Sequence, residues 1–214
     1  QNVTFPVLSK MQDDNERLAH NYRKMLKATA FVVFPIMMML SALAHPLVIT
    51  LVTAKWESCV ILLQIICFSM MWYPVHAINL NLLQVKGRSD LFLRLEIIKK
   101  IVGVSILTIT LPHGLVVFCC GSVVSSLIAL IINTYYTGKL INVGYFKQMR
   151  DLLPIVGLGL VMFGVVLLIT HIISDMLMQI VIGGAAGAVV YLGGAVLLRF
   201  SELEDVKYML RRNK

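Results

Sequence analysis

Six long apolar stretches dominate this chain of 214 residues. A helix that crosses the hydrocarbon core of a bilayer needs about 20 apolar residues, and six windows approach or exceed that length. Because 58% of the residues are hydrophobic and only 14% are charged, the chain has more apolar surface than a soluble domain of this size buries. The pattern predicts an all-α, polytopic membrane protein with six transmembrane helices, at about residues 29–51, 59–83, 97–111, 114–136, 153–172 and 178–199.

Positive charge alternates from loop to loop in step with these windows. With six crossings, eighteen of the nineteen Lys and Arg residues fall on one side of the membrane, and only Lys55 falls on the other. Cytoplasmic loops beside membrane spans retain Lys and Arg, whereas translocated loops lose them. Both ends are therefore predicted to be cytoplasmic, and the formal net charge of +8 is interpreted as membrane orientation rather than nucleic-acid binding.

The windows also predict the organisation of the chain. Leu18, Tyr22 and Met25 recur at helical spacing, so the lead-in has an apolar face that can lie against the membrane. A chain that starts at Gln1 instead of an initiator Met is expected to continue upstream. The predicted parts are an amphipathic cytoplasmic lead-in (1–28), four spans (29–136), a cytoplasmic loop (137–151), a hairpin of two spans (152–199) and a basic cytoplasmic tail (200–214).

The second span carries an unusual row of polar side chains, and Pro74 interrupts the same stretch. Their spacings of four, three and three place them on one helical face. Polar groups at membrane depth are costly, so this face is expected to look into a bundle interior or a wet cavity. Two readings stay open: a substrate path, in which a histidine changes protonation, or hydrogen bonds to neighbouring helices. The residues are Ser69, Tyr73, His76 and Asn79.

A cluster of basic residues follows the second span. Positive-inside topology alone accounts for it, but arginine also suits phosphate, and a cytoplasmic vestibule for a diphosphate head group would use such residues. Neither interpretation excludes the other. The candidate residues are Arg88, Arg94, Lys99 and Lys100.

Sequence signatures of enzymes are missing from all 214 residues. The chain has no phosphate-binding Gly-Lys-Ser/Thr loop, no HExxH, no GxSxG and no paired-cysteine zinc motif. Its four cysteines lie in or at the edge of apolar windows, where cysteine commonly acts as a small hydrophobe. We therefore predict a protein that is not an enzyme and uses no cofactor or metal.

Two sequence runs resemble a known family. FPVLSKMQDD at residues 5–14, followed by ERL, YRKML and FVVFP, resembles the middle of a bacterial polysaccharide flippase. The run at residues 55–100, KWESCVILLQIICFSMMWYPVHAINLNLLQVKGRSDLFLRLEIIKK, resembles O-antigen and capsule-type lipopolysaccharide biosynthesis proteins of the polysaccharide transporter group. That group belongs to the multidrug/oligosaccharidyl-lipid/polysaccharide flippase superfamily and is similar in fold to multidrug and toxin extrusion transporters.

The resemblance implies a fold of twelve to fourteen helices in two lobes around a central cavity. The six spans would correspond to the last six of fourteen helices, in the C-terminal part, so a missing N-terminal lobe would be one partner. It implies a flippase that moves undecaprenyl-diphosphate-linked oligosaccharide across the bacterial cytoplasmic (inner) membrane by alternating access. Tyr73, His76 and Asn79 would line or support the cavity, with the four basic residues at its cytoplasmic mouth. Membrane lipids, glycan polymerases and glycosyltransferases are the other implied partners.

Two alternatives stay open at this point. A drug or cation antiporter of the same fold would place acidic or other cation-binding groups within its spans, whereas this chain offers His76 and no mid-span carboxylate. A structural membrane subunit without transport activity is the second alternative.

Overall fold

The computed structural model of the protein describes residues 14–203, and this range is built from helices joined by short turns. The first 13 residues of the predicted lead-in and residues 204–214 of the predicted tail lie outside it. Single 3₁₀ turns at Ala54–Trp56 and Leu111–His113 sit between helices. The helices are α1 (Asn15–Ala42), α2 (Ala44–Leu51), α3 (Cys59–Met71), α4 (Tyr73–Val85), α5 (Ser89–Thr110), α6 (Leu115–Ile141), α7 (Tyr145–Ile172) and α8 (Met176–Leu197).

The all-helical membrane class is confirmed, and among the described residues five helical segments, one fewer than predicted, are long and apolar enough to cross a membrane. The helical segments long and apolar enough to cross a membrane are α1, residues 59–85, α6, α7 and α8. The predicted third span lies in α5, which has 22 residues but carries Asp90, Arg94, Glu96, Lys99 and Lys100. Charged side chains are costly in hydrocarbon. The charges of α5 therefore distinguish it from the five more apolar segments.

The lead-in and the first span form one continuous helix. α1 runs for 28 residues and contains Pro35 in its interior. Asp14 begins it, since its Oδ1 accepts hydrogen bonds from the backbone N–H groups of Glu16 and Arg17, which satisfies donors that a helix start leaves unpaired. The apolar face of the lead-in differs from expectation: Leu18 and Tyr22 are fully buried in protein and do not face lipid.

The chain forms two compact units. Among the described residues, one comprises residues 14–29 and 72–152, and the other comprises residues 30–71 and 153–203. In the first unit, Leu83, Leu91 and Leu95 form a buried cluster between α4 and α5. Partly buried apolar residues of α6, such as Ile132 and Leu140, pack against that cluster. Apolar packing of this kind fixes the polar side chains of α4 and α6 described below.

In the second unit, small residues of α8 let neighbouring side chains approach. The buried face of α8 repeats every four residues: Gln179, Gly183, Gly187, Tyr191 and Ala195. A Cβ placed on Gly187 would lie 2.8 Å from Cγ2 of Val166, and one on Gly183 would lie 3.1 Å from Cδ2 of Leu43. The Gly-xxx-Gly pair of α8 is therefore used for packing inside the chain.

Candidate substrate path

A reciprocal pair of amides lies at the centre of the first unit. Nδ2 of Asn79 donates to Oε1 of Gln148 at 3.0 Å, and Nε2 of Gln148 donates to Oδ1 of Asn79 at 3.1 Å. Oγ1 of Thr137 donates to the same Oδ1 at 2.6 Å. The second hydrogen of each amide is used as well, by the carbonyl oxygens of Val75 and Val143. Burial costs these polar groups little free energy, because all their hydrogen bonds are made. The same hydrogen bonds fix the positions of α4, α6 and the start of α7 relative to one another.

Asn79, Thr137 and Gln148 are all fully buried. The side chain of Asn79 therefore offers no hydrogen-bonding group to a solute, because its donors and acceptor are already engaged with protein. Of the two roles implied for Asn79, lining and supporting the cavity, this geometry fits support.

His76 sits in a second, more accessible polar cluster one turn away along α4. Its Nδ1 lies 3.1 Å from Nδ2 of Asn133, and its Nε2 lies 3.2 Å from Oγ of Ser126. An amide nitrogen only donates, so Nδ1 is the acceptor and Nε2 carries the proton that Ser126 accepts. Ser126 and Asn133 lie two turns apart on α6, so helical periodicity places them on the same face.

The His76 cluster retains unused hydrogen-bonding capacity. Oδ1 of Asn133 is buried and accepts no hydrogen bond from the described residues, although His76 and Ser126 are only partly buried. A hydroxyl-bearing ligand matches such a site chemically, because a hydroxyl both donates and accepts.

The remaining polar residues of the predicted row have different surroundings. Tyr73 is 64% exposed in the first unit, whereas Ser69 is buried in the second. Pro74 occupies the first turn of α4, and the helix breaks between Met71 and Tyr73, as expected. Within the first unit the structure thus brings His76 and Asn79 into hydrogen-bonded clusters and leaves Tyr73 on the surface.

Of the four candidate basic residues, two form ion pairs with acids of the described residues and two do not. Nε and Nη2 of Arg88 bind the two carboxylate oxygens of Asp90, each at 2.9 Å, and the guanidinium lowers the pKa of Asp90 to about 2. Lys99 forms an ion pair with Glu96 one turn earlier on α5. Arg94 and Lys100 are exposed, and no carboxylate of the described residues pairs with them.

Two residues of these clusters were not singled out by the sequence. Gln148 lies in a segment that reads as an ordinary basic loop, YFKQMRD, yet its side chain is fully buried. Thr137 lies at the predicted end of a span, where hydroxyl residues are common. The only signal for Gln148 is an uncharged polar side chain between charged neighbours, which does not distinguish a buried amide from a surface one.

Comparisons with known proteins agree with the predicted resemblance. Residues 1–61 match the model of a family described as polysaccharide biosynthesis protein. An uncharacterized membrane protein in the cps region of Klebsiella pneumoniae is 30% identical over 138 residues, which are 64% of this chain and 28% of that protein. The lipopolysaccharide biosynthesis protein WzxC of Escherichia coli strain K12 is 28% identical over 132 residues, 62% of this chain and 26% of that protein.

A third relative extends the match over more of the chain. The teichuronic acid biosynthesis protein TuaB of Bacillus subtilis strain 168 is 25% identical over 195 residues, 89% of this chain and 40% of that protein. The matched regions thus span between about a quarter and two-fifths of the length of these curated relatives. No solved structure matches the chain significantly. The predicted resemblance is confirmed: the chain is a multi-pass helical membrane protein related to polysaccharide biosynthesis proteins.

Proposed function

We propose that the chain is part of a flippase that moves a polyprenyl-diphosphate-linked oligosaccharide across the bacterial cytoplasmic membrane. The observation that carries this proposal is its relation to proteins named for lipopolysaccharide and teichuronic acid biosynthesis, found in a chain rich in membrane-spanning helices. Undecaprenyl diphosphate is the proposed carrier lipid, and the chain acts as a transporter rather than an enzyme. Both ends of the chain face the cytoplasm, where Lys and Arg are concentrated, and this topology needs α5 to cross in addition to the five more apolar helices.

The two polar regions of the first unit supply complementary chemistry for such a cargo. His76 and Ser126 offer a partly buried polar surface beside the buried, unpaired Oδ1 of Asn133, and such a surface suits sugar hydroxyls. Arg94 and Lys100 supply positive charge for the diphosphate, since Arg88 and Lys99 are already paired with acids. Asn79 supports the helix that carries His76, and Tyr73 lies at the surface of the same helix.

Alternating access requires a second lobe. The relatives are longer than this chain, and we place the partner lobe in the part of the transporter outside these 214 residues. Glycan polymerases and glycosyltransferases that make and use the cargo are the functional partners.

The experiment is a flipping assay with the complete transporter in liposomes that contain a fluorescent polyprenyl-diphosphate oligosaccharide. We expect His76→Ala to lower the flipping rate about fivefold or more, because removing a polar contact from a desolvated path costs about 1–3 kcal/mol. Replacing both Arg94 and Lys100 with Gln should weaken capture of the diphosphate and raise the cargo concentration needed for half-maximal rate.

Two control variants distinguish a specific effect on the transport path from general damage to the protein. His171→Ala removes an exposed histidine at the opposite end of α7, and Lys55→Gln removes the single cation on the other side of the membrane. Both should flip at the wild-type rate. A wild-type rate for His76→Ala together with an unchanged cargo dependence for the Arg94/Lys100 variant would remove these residues from the path.

A further inference from the structure

An open cleft lies at one end of the first unit, away from the His76 cluster. It has a volume of about 460 Å³ and is bordered by the first turns of α1, the last turn of α6 and the first turn of α7. A tight turn forms its floor: a Cβ on Gly138 would lie 2.9 Å from Cα of Gly144, and Asn142 between them has a positive φ of 58°. Close approach of two glycines thus brings the ends of α6 and α7 together.

Two lysines on the wall of this cleft carry charge that is not neutralised. Nζ of Lys139 lies 4.7 Å from the ring centroid of Tyr135, and Nζ of Lys147 donates to the carbonyl oxygen of Asn142 at 2.8 Å. Both partners are uncharged, and no described carboxylate pairs with either lysine. Each ammonium group has three donors, so both keep hydrogen bonds to offer.

The other charged groups of the cleft limit its net charge. Arg23 is held by the carboxylate of Asp151 through two hydrogen bonds of 2.6 Å, and the acid Glu16 lines the cleft beside it. Lys139 and Lys147 contribute two positive charges and Glu16 one negative charge, so the formal balance is one positive charge, with His20 counted as neutral. A ligand with one negative charge matches this balance better than a dianion.

The length of α6 leads us to expect the cleft at the depth of lipid headgroups. α6 has 27 residues and is about 40 Å long, whereas the hydrocarbon core is about 30 Å thick. The end of α6 that carries Lys139 is its charged end, so it extends into the interface. Aromatic residues mark the same level, as is usual at membrane interfaces: Phe146 is 85% exposed and Tyr135 is 54% exposed.

We propose that this cleft binds the phosphodiester headgroup of an anionic glycerophospholipid such as phosphatidylglycerol, with Lys139 and Lys147 donating to the phosphate oxygens. A single negative charge fits the balance of the cleft, and the exposed Phe146 lies where acyl chains begin. A zwitterionic lipid fits less well, because its ammonium group would lie next to two positively charged lysines. The proposal goes beyond the transport function and does not depend on it, since lipid binding is measured without transport.

Native mass spectrometry of the purified chain in detergent tests this site. Phosphatidylglycerol and phosphatidylcholine are titrated separately, and the number and apparent Kd of retained lipids are compared. We expect one phosphatidylglycerol to bind more tightly than phosphatidylcholine. In the double variant Lys139→Gln/Lys147→Gln its Kd should rise about fivefold or more, the effect of losing at least one lysine contact at a membrane surface.

Two further variants keep the test independent of folding. Lys55→Gln removes an exposed lysine outside the cleft and should leave the Kd unchanged. Glu16→Gln removes the acid from the cleft and should lower the Kd for phosphatidylglycerol, a gain that misfolding does not produce. Equal binding of both lipids, an unchanged Kd in the two-lysine variant, or displacement of the lipid by equimolar inorganic phosphate would each overturn the proposal.

Discussion

Pro35 removes one backbone hydrogen bond from the interior of α1, and Tyr191 replaces it. Proline has no N–H, so the carbonyl oxygen of Phe31, four residues earlier, lacks its usual helical donor. Oη of Tyr191 donates to that carbonyl oxygen at 2.8 Å, in a buried position. Within a membrane an unpaired backbone group finds no water to bind. The proline is therefore tolerated because a side chain from α8 satisfies the carbonyl it exposes.

This compensation predicts a specific coupling between two residues. Tyr191→Phe should destabilise the chain by about 1–3 kcal/mol, since it leaves a buried carbonyl oxygen without a donor. The same substitution in a Pro35→Ala background should cost less, because an alanine in place of the proline supplies the missing N–H. The midpoint of thermal unfolding in detergent, measured for the four members of this double-mutant cycle, gives the coupling. Equal costs of Tyr191→Phe in both backgrounds would contradict the role assigned to Tyr191.

The sequence predicts polar positions better than it predicts their partners. His76 and Asn79 stand out because polar residues are rare in a span, and helical spacing places Ser126 and Asn133 on one face. Their pairing depends on how α4, α6 and α7 pack, which a single sequence does not encode locally. Gln148 illustrates the limit: its amide reaches Asn79 only because the Gly138–Gly144 turn returns α7 against α6.

At the scale of the element, some glycines of α8 lie against neighbouring side chains, whereas Gly184 and Gly193 have no neighbour within 4 Å of an added Cβ. Gly187 lies against Val166, a stiff β-branched side chain that is itself fully buried. Gly184, three residues earlier, has no neighbouring atom within 4 Å of an added Cβ. Nearby glycines of one helix thus have opposite structural roles.

This contrast predicts opposite effects of the same substitution. Gly187→Ala should destabilise the chain by about 1–3 kcal/mol, because the new methyl group overpacks against Val166. Gly184→Ala should be neutral or stabilising by up to about 1 kcal/mol, because alanine favours helix more than glycine does. Unfolding midpoints of the two variants, compared in the same detergent, decide the matter. A larger loss from Gly184→Ala would mean that α8 packs through its other face.

Hydropathy locates helices but not whether each crosses the membrane. α6 begins near the start of its predicted window but runs five residues beyond the predicted end, to Ile141. α5 departs from its predicted window at the start, because five charged residues extend through its first half and the apolar stretch that remains is short. The length of α5 would allow it to cross a membrane, whereas its charged residues oppose crossing. For this reason α5 is not among the five helices that are both long and apolar enough to cross.

At the scale of the whole molecule, the distribution of Lys and Arg makes a prediction about orientation. The charge pattern assigns the turn that contains Lys55 to the outside and the segment that contains Lys86 to the cytoplasm. That assignment requires only the helical segment 59–85 to cross. Since α6 is long and apolar enough to cross, the basic segment after α6 also lies in the cytoplasm only if α5 crosses as well, despite its charges. The side of the membrane on which the later segments lie therefore depends on whether α5 makes a sixth crossing.

Single cysteines test this topology directly in whole cells. Cys59, Cys67, Cys119 and Cys120 are first replaced by alanine, because Cys120 is exposed and Cys59 partly so. A cysteine at Lys55 should then react with a membrane-impermeant maleimide, since it lies in an exposed 3₁₀ turn between α2 and α3. One at Lys86 should react only after permeabilisation. A cysteine at His113, in the exposed turn between α5 and α6, reports on α5: reaction in intact cells means that α5 crosses. Protection of both Lys55 and His113 in intact cells, with reaction of Lys86, would reverse the assigned orientation.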